Sequence, residues 1–240
     1  MEFFGVATVE AWRQRYENPL AAFRASESFD KKQGAVAAWL RKGEVEADLL
    51  ECEAFNRQSF RATLSEVRRV TNEPEPNIFI PKLQELCAGS GVAVVFAPTP
   101  PGCPVSGATR WLTSSKAVLQ LSLRYSSNDH LWFTFFHEAA HLLLHGKRLL
   151  NLEGIDPRDD SEEIREREAN DFARDFLIPP EDAFRLGELA SRPKVSKIMV
   201  RRFAAGIGLA PGIVVGRMQH EGWLEYSHMN DLKVRYRWPD

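Results

Sequence analysis

Apolar residues recur every three or four positions from Val9 to about Phe23 and again from Gly34 to about Val70, where Val36, Leu40, Val45, Leu49, Phe55, Leu64 and Val67 stand on a background rich in Glu and Arg. That period marks amphipathic helices, so the pattern predicts an N-terminal helical region over residues 1–72. Two prolines within Thr71–Asn77 remove backbone donors and fix φ, which sets a boundary there. The second unit, residues 73–240, opens with a predicted short helix at Ile80–Gly89 and a strand at Gly91–Ala97, where β-branched residues accumulate. Pro98–Pro104 cannot pair regularly. Two more strands are predicted at Gly107–Leu112 and Ala117–Tyr125, the latter alternating as VLQLSLRY, and the three suggest a small antiparallel sheet. The turn Ser126–Asp129 leads into a helix over His130–Leu144 that stops near Gly146. After an acidic loop, Glu153–Glu163, further helices are predicted at Glu162–Phe176, Glu181–Ala190, Lys194–Ala204 and Ile213–Glu221, the first of them ending before Pro179 and Pro180. The expected fold is α+β, with helices on both sides of a small sheet in the sequence.

Composition narrows the function classes. With 31 Lys plus Arg against 33 Asp plus Glu in 240 residues, the formal charge is −2, so nucleic-acid contact would need a local basic patch. Cys52, Cys87 and Cys103 are too scattered for a disulfide framework, which favours a reducing cytoplasm. Glu10, Arg13 and Arg15 interrupt the N-terminal apolar positions, which argues against a signal peptide. No run of roughly 18 apolar residues suggests a membrane span.

The informative pentapeptide is His137-Glu138-Ala139-Ala140-His141. Positions i and i+4 share a helix face, so both imidazoles can reach one ion, and zinc accepts neutral imidazole nitrogen. The Glu between them can bond a water on the metal without itself becoming a ligand. Two surface histidines on an amphipathic helix are the plainer reading, but Trp132, Phe133, Phe135, Phe136, Leu142 and Leu143 make this helix mostly buried. Buried imidazoles and a buried carboxylate need partners, and a metal supplies one.

A catalytic zinc site takes a third protein ligand and leaves a position open. Glu166 is the preferred candidate, because Asn170 four residues on can orient a ligand histidine. Glu168 competes, but it lies about 200° around the helix from Glu166, so the two cannot both be ligands.

HEAAHLLLHG followed by ExxANxFAxxFLIPP resembles the ImmA/IrrE family of zinc metallopeptidases. SGATRW at Ser106–Trp111, QLSLRY at Gln120–Tyr125 and WFTFFHEAAH at Trp132–His141 look closest to the subgroup that accompanies helix-turn-helix regulators, and the likeness runs over about residues 75–225. It implies a zincin-like, gluzincin-type site with His137, His141 and Glu166 on Zn2+ and Glu138 as general base. It further implies cleavage of a cognate helix-turn-helix repressor that releases stress, mobile-element or antiphage genes, with single-stranded DNA as a plausible activator in a DNA-damage response. Many relatives carry their own DNA-binding domain. The first seventy or so residues here show no clear helix-turn-helix, so the repressor is expected to be a separate protein.

Other residues admit two readings each. His145 is either structural or a residue that orients a metal ligand, or a donor to the oxyanion, a role for which Tyr125 and Arg110 also stand as candidates. Cys103, in the loop PPGCP, is either a free loop thiol or a further zinc ligand that keeps the enzyme latent. Cys52 and Cys87 read as small core hydrophobes. A substrate strand can add to the edge of either Gly107–Leu112 or Ala117–Tyr125. Lys194, Lys197, Arg201, Arg202 and Arg217 belong either to a helical lobe supporting the cleft or to a helix-turn-helix-like DNA contact. Trp223, Tyr226, Lys233, Arg235, Tyr236, Arg237 and Trp238 form either a single-strand-binding tail or a packed terminal strand. The competing function is a regulatory module of antitoxin type with a structural or vestigial metal site. Glu138 argues for the enzyme, because a structural site has no use for a base.

Overall fold

A computed structural model describes residues 1–17, 32–122, 124, 126–146, 150–152 and 160–237. The expected helix toward Phe23, Tyr125, Trp238 and most of the acidic loop after Glu153 lie outside the described residues. In chain order the elements are α1 (Val9–Trp12, continued by a π-turn over Arg13–Glu17), α2 (Gln33–Asp48), α3 (Arg57–Val70), α4 (Pro76–Ala88), β1 (Val92–Phe96), β2 (Gly107–Trp111), β3 (Ala117–Leu121) and α5 (Asn128–Leu144). Then come β4 (Asn151–Leu152), α6 (Asp160–Leu177), α7 (Pro180–Ala190), α8 (Lys197–Gly206), α9 (Pro211–His220) and a 3-10 turn, Asn230–Leu232. The architecture is α+β and mostly helical.

The sheet departs from the expected all-antiparallel arrangement. Strand β3 lies in the middle, parallel to β1 (Val92 opposite Ala117) and antiparallel to β2 (Gly107 opposite Leu121). Every residue of β3 is buried, so this strand gains most from neighbours on both edges. The proline-bearing connection over residues 97–106 is long enough to carry β2 past it instead of folding back as a hairpin. The two-residue β4 adds outside β2, with Leu152 opposite Ala108. Strand addition of a substrate is therefore excluded at β3 and already partly taken at β2.

Side-chain alternation divides the interior in two. Val92, Val94, Ala117, Leu119 and Leu121 point into the larger core, with Phe60 and Leu64 of α3, Leu83 of α4 and Trp132, Phe135 and Phe136 of α5. Ala93, Val95, Ala108 and Val118 face the other way, onto Val36, Trp39 and Leu40 of α2. The predicted break at Thr71–Asn77 is thus a turn between two helices that share one core, with Pro76 in the first turn of α4 where its missing N–H is harmless. Helix α2 docks closely because Gly43 has no side chain: a Cβ there would lie 1.8 Å from Gln120 Oε1. Gln120 Nε2 donates to Trp39 O at 2.7 Å, and Lys116 Nζ donates to the carbonyls of Ala47 and Leu50 at the C-terminal end of α2.

That far face also buries a charge cluster. Glu44, 2% exposed, accepts from Tyr16 Oη and Arg15 Nη2 at 2.9 Å each and from Arg41 Nη1 at 2.8 Å, and it pairs with Arg110 of β2. Burial pushes the Tyr16 phenol up to about 12, and the Glu44 charge adds to the shift. Arg110 is therefore committed to the sheet face opposite α5, which removes it as an oxyanion donor.

In the C-terminal lobe, α8 and α9 are joined by a short turn and their axes bend by 110°, an angle typical of helix-turn-helix pairs. The second helix cannot enter a DNA groove, because Ile213, Val214, Val215 and Met218 are buried and Gly212 and Gly216 pack against Asn128 and Asp129 of α5. The terminal tail is likewise half committed. Tyr236 is 3% exposed with its ring 5.1 Å from that of Phe79, Arg235 bridges Ser127, and Lys233 pairs with Asp129 at 2.6 Å. Among the described residues no single helix is long and apolar enough to cross a membrane.

Removing a partner from a buried ion cluster strands the remaining charges. Glu44→Ala is expected to lower the unfolding free energy by about 3–5 kcal/mol, read as a lower urea midpoint at unchanged slope.

Candidate metal centre

The centre is built where α5 packs against α6. On α5, Phe133, His137, His141 and His145 follow one another at four-residue intervals, and their rings form a ladder with centroids 6.4, 4.8 and 5.0 Å apart. Gly146, at φ +71°, ends the helix in the left-handed region that glycine tolerates. On α6, Glu166, Asn170, Ala173 and Leu177 fall on one face at i, i+4, i+7 and i+11. Its apolar half is clamped to α5 by Phe176, whose ring stacks on Phe136 at 5.1 Å. That clamp holds the polar half of the seam at a fixed spacing.

Within the seam, His137 Nε2 lies 3.2 Å from Glu166 Oε2, His141 Nε2 lies 3.2 Å from Glu166 Oε1, and the two Nε2 atoms are 3.0 Å apart. His137, Glu138 and His141 are at most 2% exposed. His137 Nδ1 donates to Asn170 Oδ1 at 3.0 Å, which leaves Nε2 of the neutral ring as a bare lone pair. Burial lowers the pKa of His141, with Glu166 opposing, so this ring too favours its neutral form. Burial works against ionisation of Glu166, yet the neighbouring His137 and His141 rings favour its charged form and hold the carboxyl at about 2.

The trio is therefore two neutral imidazoles and a carboxylate with their acceptor atoms converging. Tetrahedral zinc, with bonds of about 2.0–2.2 Å to nitrogen and oxygen, asks for ligand–ligand edges of roughly 3.3 Å. The observed 3.0–3.2 Å edges fit, and so does the donor set. Two imidazoles and a carboxylate suit a borderline divalent ion and leave one tetrahedral position for water or substrate.

Glu138 sits one residue on from His137 and faces β2. A Cβ on Gly107 would lie 2.9 Å from Glu138 Cγ and Oε1 and 2.7 Å from Thr134 Cγ2, so the bare glycine makes room for the carboxylate. Asn170 also lines a cavity of about 440 Å3 that continues past Phe133, Ile178 and Ile213 to Asp129 and Arg217.

Residues 90–204 match the IrrE N-terminal-like domain. They belong to the ImmA/IrrE metallopeptidase family. No curated protein matches the chain. The matched segment contains the whole His-His-Glu group together with Glu138 and Asn170.

Two sequence expectations change at the site. Cys103 is not among the converging atoms: it is 7% exposed in the far-face cluster with Ala97 and Val105, and burial pushes its thiol pKa up, away from the thiolate that binds zinc. The sheet stands between that cluster and α5, so a latch through Cys103 is not what this arrangement provides. Glu168, read as the competitor of Glu166 for the ion, instead places Oε2 3.0 Å from His145 Nε2, and His145 Nδ1 is 2.9 Å from His141 Nδ1. Helical-wheel reasoning missed this contact because His145 caps α5, where the ring leaves the regular helix path. The recurrence of His at four-residue spacing was the available signal.

Asn170→Ala frees the His137 ring and is expected to weaken uptake of a divalent metal, with zinc as the probe ion, about 10–100-fold, measured by competition with a chromophoric chelator on the full chain. Glu166→Gln, which removes the charged ligand, is expected to weaken it more than Asn170→Ala does.

Proposed function

We propose that this protein is a zinc-dependent endopeptidase and that its substrate is a separate helix-turn-helix repressor. The observation that carries the enzymatic reading is the convergence of His137, His141 and Glu166, a group suited to a metal and joined by no fourth His, Cys or carboxylate among the described residues, beside a buried carboxylate, Glu138, on the same helix as the two histidines. A purely structural zinc site is closed by a fourth protein ligand. The repressor as substrate rests on the sequence resemblance, and so does single-stranded DNA as activator. Exposed Arg201 and Arg202 on α8 and the exposed rings of Trp223 and Tyr226 are the groups suited to phosphate contact and base stacking.

When bound, zinc acidifies water toward a pKa of about 7 and polarises a scissile carbonyl. The chain's own groups do the rest. Glu138 takes the proton from the attacking water and delivers it to the leaving amine nitrogen, so one carboxylate serves as base and then acid. Gly107 keeps that carboxylate from being pushed off its path, while Asn170 and the α5–α6 clamp hold the imidazoles.

The decisive experiment is repressor cleavage by wild type and Glu138→Gln. The variant is expected to keep its zinc and fold while losing about 10²–10⁴-fold in cleavage. Equal cleavage by both forms would refute the role of Glu138, and zinc-loaded protein inert toward any repressor would favour the antitoxin-type binding module. Gly107→Ala is expected to cost on the order of 10²-fold in cleavage through a displaced base, with zinc content unchanged by elemental analysis.

A further inference from the structure

Glu166, Glu168 and Asn170 lie within little more than one turn of α6, yet each meets a different partner: the ligand nitrogens, His145 and His137. The Glu168 carboxylate only accepts, so His145 Nε2, 3.0 Å away, carries a hydrogen. A neutral imidazole has one N–H, which leaves His145 Nδ1 as an acceptor. His141 Nδ1, 2.9 Å from it, is then the donor. With its only hydrogen on Nδ1, His141 turns a bare Nε2 toward His137 and Glu166.

We propose that Glu168 and His145 are positioning residues which dictate the nitrogen of His141 that bears its proton and so keep Nε2 free for a divalent cation. This rests on the His137, His141 and Glu166 group being a metal site. The two ligand histidines are then locked by different means. Asn170 reaches His137 directly, whereas His141 lies too far along α5 for that and is reached through a third imidazole. His145 suits the task because its side chain is only 4% exposed, so water does not compete for Nδ1, while Glu168 is 54% exposed and anchors the far end from the rim. The two carboxylates of Glu166-Arg167-Glu168 consequently divide the labour, one for the ion and one for the orientation of its ligand.

The polarity of the relay makes it testable. In Glu168→Gln the amide oxygen still accepts from His145, whereas in Glu168→Lys the ammonium only donates. The lysine turns His145 around, places a hydrogen on its Nδ1 and forces the proton of His141 onto Nε2. Two measurements on the full chain read this out: the tautomers of ring-¹⁵N-labelled histidines in metal-free protein by two-bond ¹H–¹⁵N correlation, and zinc affinity by chelator competition. Wild type and Glu168→Gln are expected to show His141 protonated at Nδ1 and to bind zinc within about twofold of each other. Glu168→Lys is expected to move that proton to Nε2 and weaken zinc about 10–100-fold, while Glu163→Lys, an equal charge change at an exposed position on the same helix, leaves both readouts unchanged. A wild-type spectrum with the His141 proton on Nε2, or a Glu168→Lys protein with unaltered tautomer and affinity, would overturn the proposal. Wild-type protein that shows the expected tautomers but takes up no zinc would instead defeat the metallopeptidase reading and leave the relay standing.

Discussion

Three acceptor atoms cannot rest about 3 Å apart in a buried seam unless something positive lies between them, because lone pairs taken from water regain nothing from one another. Nε2 of His137, Nε2 of His141 and the Glu166 carboxylate are brought to 3.0–3.2 Å by the packing of α5 on α6. The apolar half of that seam, with Phe136 stacked on Phe176 and Ala173 sealed within the core, sets the distance between the helices. The polar half inherits the spacing. A loosely packed seam would let the imidazoles swing out to water, so the core supplies the rigidity that a metal site in this seam would need.

The sheet transmits the same rigidity to Glu138. Strand β2 carries Gly107 toward Glu138 on one face and Arg110 toward Glu44 on the other. The N-terminal helices therefore act at a distance, bracing the strand that forms one wall of the site. Gly43 under Gln120 and Gly107 beside Glu138 do the same job on opposite faces, since each lets a helix approach a strand more closely than any side chain would allow. The buried Glu44 cluster ties Arg15 and Tyr16, α2 and β2 together, and the desolvation cost of its ions offsets much of their mutual attraction.

The C-terminal lobe shows how a familiar angle can mislead. Helices α8 and α9 bend by 110°, but the face of α9 that would read DNA is spent on packing against α5, where Gly216 accommodates Asp129. Geometry between helices says nothing of DNA recognition when the second helix is buried. What the lobe contributes is the far wall of the cavity beside Asn170, lined by Ile213 and Arg217, and hence the surroundings of the metal centre.

Local periodicity was enough to locate most of the elements: α5, α6 and α9 lie within a few residues of where the apolar spacing and the prolines put them, because those signals act over one or two helical turns, whereas the single run expected over Gly34–Val70 is two helices, α2 and α3, broken at residues 49–56, with Val45 and Leu49 exposed. The pairing of His137 with His141, and the choice of Glu166 with Asn170, were likewise legible, since i and i+4 on a helix fix a shared face without reference to the rest of the chain. Strand order was not, because the parallel match of β1 with β3 depends on which strand is buried from both sides, a property of the whole core. Nor was the fate of Cys103, Arg110 or Glu168. A loop thiol, a strand guanidinium and a rim carboxylate carry no periodic signal, and the face of the sheet or the neighbouring ring each one meets is set by long-range packing. Residue spacing determined which atoms can converge on an ion, and tertiary contacts alone decided which other groups hold them there.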